Sequence, residues 1–191
     1  MNLNTIFFIG PQGSGKGTQA TLLAKKLGFY HWDMGGILRD TGKQDSDLGR
    51  EVKDLIDRGV LLDDELLLKV ARAKLETITP ETGVVFDGIP RRIGQAEFLI
   101  GFLRSQGRKD FATVFLDIPK TETLKRLLLR AQTQGRADDT QEAIEFRLQQ
   151  YYDDTLPVLE YLKNESTFYT IDGLPTIAEV TENINSNLEI R

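Results

Sequence analysis

The sequence predicts an α/β fold in which a parallel sheet is covered by helices on both faces. Three observations carry this reading. Short apolar runs rich in β-branched and aromatic residues recur along the 191 residues, and segments of helical period separate them. The first run also passes through a glycine-rich loop straight into one of those helical segments. Strands that alternate with helices build parallel sheets, and parallel sheets bury both faces. No internal repeat, linker or low-complexity run breaks the pattern, so residues 1–191 read as a single domain.

Thr5 to Ile9, Val84 to Phe86, Ala112 to Ile118 and Thr167 to Ile171 read as buried strands, with a shorter one near Tyr30–Trp32. After the glycine-rich loop, Leu22, Leu23 and Leu27 are expected to line one helix face. Asp63 offers an N-cap to a helix carrying Leu67, Ala71, Leu75 and Ile78 at helical spacing, and Pro80 lies just past its end. Asp139 followed by Glu142 makes a capping-box pattern before a long amphipathic helix towards Leu162, which Pro157 should kink or interrupt. Residues 33–62 read as helical throughout, which makes them a small helical insertion between an early strand and a later helix.

Composition excludes several chemistries. The chain has 24 Lys+Arg against 29 Asp+Glu, a net charge of −5, no cysteine and one histidine. Without cysteine there is neither a disulfide framework nor a thiolate zinc site, and His31 alone cannot make a zinc site with several histidine ligands. An acidic chain is a poor nonspecific nucleic-acid binder, although a local basic cleft is compatible with it. Residues 1–10 lack a basic n-region and an apolar run of signal length, and no stretch approaches the roughly 20 apolar residues of a membrane-spanning helix. The expectation is a cytoplasmic protein with neither nucleic acid nor membrane as partner.

Gly10-Pro-Gln-Gly13-Ser14-Gly15-Lys16-Gly17-Thr18 follows a buried strand and opens a helix. That is the context of a phosphate-binding loop: glycines let consecutive N–H groups converge on phosphate oxygens, and the helix N-terminus adds partial positive charge. Lys16 is placed to neutralise the outer phosphates. Gly17 stands where most such loops carry a Ser or Thr ligand for Mg²⁺, so the metal is expected to be held less directly. Val84-Val85-Phe86-Asp87 is an apolar strand ending in a carboxylate, the arrangement that sits near Mg²⁺, here through water. Arg39, Arg91, Arg126, Arg130, Arg136 and Arg147 recur along the chain. Each alone reads as a surface cation, but phosphoryl transfer needs several cations around one dissociating group.

Taken together, these residues resemble the adenylate kinase family. The motifs are Gly10 to Gln19, Met34-Gly-Gly-Ile-Leu-Arg39, Asp87-Gly-Ile-Pro-Arg91 with Gln95, Gly135-Arg136-Ala-Asp-Asp139 with Arg147, and Asp172-Gly173, in that order along nearly the whole chain. The resemblance implies a three-layer P-loop NTPase fold with a central five-stranded parallel sheet. It makes 33–62 the inserted NMP-binding subdomain and 131–136 a short lid loop, too short and too poor in ligands to hold zinc. It implies reversible transfer of the terminal phosphoryl group of MgATP to AMP, giving two ADP, by a monomer in adenine nucleotide homeostasis.

By the same resemblance Gly13, Ser14, Gly15, Lys16, Gly17 and Thr18 hold the ATP phosphates, while Arg126 and the backbone at Pro175 meet the ATP base. Arg39 and Arg91 clamp the AMP phosphate, and Gln95 reads the adenine edge. Met34, Gly35, Val60, Leu61, Leu62 and Gly88 line the AMP pocket. Arg130 meets the transferring phosphates, Arg136 and Arg147 close over both substrates, and Lys16, Arg91, Arg130, Arg136 and Arg147 form the catalytic set. Three positions depart from the family's usual residues: Met34 for Thr, Gly36 for Asp and Arg92 for Thr. Met34 lacks the hydroxyl, which keeps open a monophosphate kinase of other or broad specificity (CMP or UMP). A non-catalytic nucleotide-binding protein and a simple ATPase are the readings from other classes. His31 and Trp32 read as hinge aromatics, Asp138 and Asp139 as a helix cap that also orients arginines, and Tyr151, Tyr152 and Tyr161 as core or rim.

Overall fold

A computed structural model describes residues 3–57, 62–134 and 141–190, without the side chains of 57, 130, 131, 133, 134 and 143. The chain runs β1 (Thr5–Ile9), α1 (Lys16–Leu27), β2 (Tyr30–Asp33), α2 (Met34–Thr41), α3 (Asp47–Asp57) and α4 (Asp64–Leu75). It continues through β3 (Val84–Asp87), α5 (Ile93–Ser105), β4 (Phe111–Asp117), α6 (Lys120–Gln134) and α7 (Gln141–Gln150). A π-turn at Tyr151–Thr155 leads to α8 (Leu156–Glu165), β5 (Thr167–Asp172) and α9 (Ile177–Asn187). The strands form one five-stranded parallel sheet in the order β2-β3-β1-β4-β5.

The sheet is apolar because helices cover both of its faces. Along β1, Phe7 and Ile9 enter one core and Ile6 and Phe8 the other, as the two-residue period of a strand requires. The first core also holds Leu66, Val70 and Leu75 of α4, Leu99 and Leu103 of α5, and Val158 and Leu162 of α8. The second takes Ala20 and Leu23 of α1 and Val180 and Ile184 of α9. Trp32 is fully buried, its ring 5.2 Å from that of Phe86, which in turn stacks on Phe7 at 5.0 Å. That makes Trp32 a core residue of the sheet. Ile37 of α2 and Val52 of α3 join the same core, so these helices share the hydrophobic interior of the sheet.

Several expectations shift on the structure. Leu22 is 39% exposed, because Ala20, Leu23 and Ala24 form the stripe of α1 that meets the sheet. The helix capped by Asp63 ends at Leu75, and Ile78 stays buried in the turn beyond it. The long helix expected up to Leu162 is broken by the π-turn immediately before α8, whose first turn holds Pro157. A proline removes one backbone donor and crowds the carbonyl four residues earlier, so the ladder is disturbed upstream of it. Of the expected lid loop, 131–134 continue α6 as helix. Residues 135 and 136 lie outside the described residues, as does the Asp139 cap.

Candidate active site

The loop between β1 and α1 takes its shape from glycines. Gly13 and Gly15 have φ of 83° and 91°, left-handed values that a side chain disfavours. Gly15 caps α1 without a side-chain hydrogen bond, and no acidic residue lies in the first turn. The N-terminus of α1 therefore lacks the side-chain cap that α4 has, where Asp63 accepts from Leu66 N at 2.8 Å. A helix N-terminus of this kind favours an anion. Ser14 is buried with no partner for its Oγ among the described residues, and Lys16 Nζ donates to Pro11 O at 3.3 Å.

Two carboxylates lie beside this loop because β2 and β3 are in register, with Asp33 opposite Asp87. Asp87 Oδ2 is 3.0 Å from where a Cβ on Gly17 would sit. A side chain at 17 would press on the carboxylate, which would have to give by a few tenths of an ångström. Burial pushes the Asp87 carboxyl above its ordinary pKa; Asp33 adds to the shift, and Lys16, His31 and Arg91 oppose it. Asp33 Oδ2 lies 2.6 Å from the Cβ position of Gly36 and 3.5 Å from Arg39 Nη2. The carboxylate missing at position 36 is thus replaced, in nearly the same space, by that of Asp33.

The ends of β2 and β3 bring Met34, Gly35, Arg39, Gly88 and Arg91 together. Met34 is buried, and a Cβ on Gly88 would lie 3.4 Å from Met34 Cβ and 3.6 Å from Arg91 Nη2. A Cβ on Gly35 would lie 3.2 Å from Arg39 Nη1. Arg91 Nε donates to Gly88 O at 2.9 Å. Arg91 is an exposed residue, although protein atoms crowd its guanidinium. Desolvation pulls its pKa down and Arg147 adds to that pull, while Asp87 opposes it. Leu62 packs against the core, and Val60 and Leu61 lie outside the described residues. Gln95 is buried with both ends of its amide in use: Oε1 accepts from Arg91 N at 2.8 Å, and Nε2 donates to Asp64 Oδ1 at 2.7 Å.

Across the sheet, Arg126 of α6 holds the loop after β5. Its Nε donates to Glu122 at 2.8 Å, its Nη1 to Gly173 O at 2.9 Å and its Nη2 to Leu174 O at 3.4 Å. Gly173 N donates to Asp117 O at 2.9 Å, which fixes the approach to Pro175 beside the end of β4. Arg130 lies one helical turn beyond Arg126, with its side chain outside the description. Arg136 lies outside the described residues.

A family model described as adenylate kinase matches residues 8–167. A relative from Phocaeicola vulgatus named adenylate kinase is 39% identical over 187 residues, 98% of each chain. One of the same name from Thermus thermophilus is 38% identical over 185 residues, 97% of each chain. The chain belongs to the adenylate kinase family.

Adenylate kinases act on polyanionic nucleotides, and the donor set here fits a hard divalent cation held with them. Asp87 and Asp33 supply oxygen ligands only, and Asp87 is a half-buried carboxylate whose charge a cation would compensate. Among the described residues no three His, Cys, Asp or Glu side chains gather into a cage. A cation here would therefore take its remaining ligands from phosphate oxygens and water. The sequence reading of this adenylate kinase missed Asp33, Asp64, Glu122, Asp154 and Thr155, and treated Arg92 only as a departure. Arg92 joins Asp64 and Asp154 at 3.1 Å each, and Thr155 Oγ1 donates to Arg91 O at 3.0 Å. Asp64, Asp154 and Thr155 lie far along the chain from the arginines they meet, so no local spacing signals them, whereas Glu122 stands four residues before Arg126, a local helical spacing.

Proposed function

We infer that this adenylate kinase transfers the terminal phosphoryl group of ATP to the phosphate of AMP, giving two ADP, and runs the reaction in both directions. The observation that carries the reading is the position of Asp87. Its carboxylate interacts electrostatically with Lys16 of the phosphate loop and with Arg91 of the opposite wall. A cation-rich space with a carboxylate between two phosphate-binding groups suits two nucleotides meeting end to end.

The loop 13–18 and Lys16 would hold the ATP phosphates, with Arg126 and the backbone near Pro175 beside the base. Arg39 and Arg91 would grip the AMP phosphate, and Met34, Gly35, Gly88 and the backbone at 60–62 would line its pocket. An AMP phosphate oxygen attacks the γ-phosphorus, the bond to the β,γ-bridging oxygen breaks, and its electron pair stays on the departing ADP. The nucleophile is already anionic, so no side chain has to remove a proton. Lys16, Arg91, Arg130, Arg136 and Arg147 stabilise charge on the transferred group, and positioning supplies much of the rest. Asp87, through water, would hold Mg²⁺ beside the nucleotide phosphates, and the cation would supply further neutralisation of phosphate charge. Residues 33–62 would form the AMP arm and 131–136 the short lid that excludes water. The substrates are free cytoplasmic nucleotides, met by a single chain.

ATP labelled at its γ-phosphorus tests this. With AMP present, the label should appear as the β-phosphate of the ADP formed from AMP. Label released as inorganic phosphate at the same rate with or without AMP would make the protein an ATPase.

A further inference from the structure

A side-chain amide reads a base edge with one donor and one acceptor, and turning it over exchanges them. At Gln95 that choice is already made. Arg91 N can only donate, and it meets Oε1 at 2.8 Å. The Asp64 carboxylate can only accept, and it meets Nε2 at 2.7 Å. A flipped amide would set two donors and two acceptors against each other around a side chain that is 4% exposed. Asp64 is itself anchored. Arg92 Nη1 donates to the same Oδ1 at 3.1 Å, and Arg92 Nε donates to Asp154 of the π-turn at 3.1 Å. The other wall is anchored as well, since Thr155 Oγ1 donates to Arg91 O at 3.0 Å. After these bonds the amide retains one N–H and one lone pair, in an order it cannot invert.

We propose that Asp64, braced by Arg92, makes the acceptor site select a 6-amino purine by fixing which way the Gln95 amide faces. The inference rests on the reading of Gln95 as the residue that meets the base. An amino-purine edge presents an exocyclic N–H donor beside a ring-nitrogen acceptor. A 6-oxo purine presents the reverse, a carbonyl acceptor beside a ring N–H donor. One amide orientation serves the first and opposes the second. Asp64 and Arg92 are positioning residues that touch the base only through Gln95. Arg92 stands where the family commonly has Thr, and it supplies the bond from Asp64 to the π-turn.

The test compares kcat/KM for AMP and for IMP, which differ at this edge alone, with MgATP as donor. Wild type should favour AMP strongly. Asp64→Asn, which can accept or donate, should narrow the AMP-to-IMP ratio by at least about tenfold while the KM for ATP stays within about twofold. Arg92→Met should narrow it less, and it serves as a second probe if Asp64→Asn folds poorly. A wild type indifferent to the two monophosphates would overturn the proposal. So would variants that lose AMP and IMP turnover equally, because a merely structural role leaves the ratio unchanged. Gln95→Leu separates the two levels. If it abolishes discrimination while Asp64→Asn and Arg92→Met retain it, the positioning role fails and the reading of Gln95 stands. If Gln95→Leu discriminates like wild type, the reading of Gln95 fails and the proposal falls with it.

Discussion

Asp87 has to carry charge in a place that opposes it. Burial and the nearby Asp33 both raise its pKa above the ordinary carboxylate value, so the folded chain binds that proton more tightly than the unfolded chain does. A group with a raised folded pKa contributes stability at low pH that is lost as pH rises through that pKa. Asp87→Asn should therefore melt above wild type at neutral pH in the absence of Mg²⁺. The gap should close on acidification, once Asp87 is neutral in both states. Melting curves against pH check this, and a variant less stable than wild type at neutral pH would contradict it. The same residue shows what the sequence made legible. A strand ending in Asp beside a glycine-rich loop could be read directly from residue order. That Asp33 would lie opposite Asp87 could not, because it depends on the register between β2 and β3.

At the scale of elements, local signals located most of the secondary structure. The strands lie within a residue or so of their apolar runs, since burial on both faces leaves a continuous hydrophobic record. Asp63 caps α4 through Leu66 N as its position suggests. Asp63→Ala should cost about 1 kcal/mol, and for a chain of this size that lowers the melting temperature by about 2–4 °C. Thermal denaturation would check this, and an unchanged midpoint would mean the cap is replaced by water at no cost. What could not be read is where a long helix yields. Pro157 announces a disturbance, but the resulting π-turn places Thr155 and Asp154 against Arg91 and Arg92, residues more than sixty positions earlier. The register of a helix interruption is set by tertiary partners, and they leave no periodic trace in the chain.

Over the whole molecule, topology decides where the site lies. β1 is central in the order β2-β3-β1-β4-β5, with the chain crossing to one side for β2 and β3 and to the other for β4 and β5. The carboxyl end of such a strand opens on a crevice between diverging crossovers, and there the glycine-rich loop leads into α1. A net charge of −5 describes the molecule as a whole, while Lys16, Arg39, Arg91, Arg126 and Arg147 border this crevice. An acidic exterior with a cationic cleft suits small polyanions better than nucleic acid. The measurement that tests the central claim most directly is the initial rate of ADP formation from MgATP with AMP, GMP, CMP or UMP as acceptor. Two ADP for each ATP consumed, with AMP strongly preferred, is the predicted result. No turnover of AMP alongside rapid turnover of CMP or UMP would contradict it.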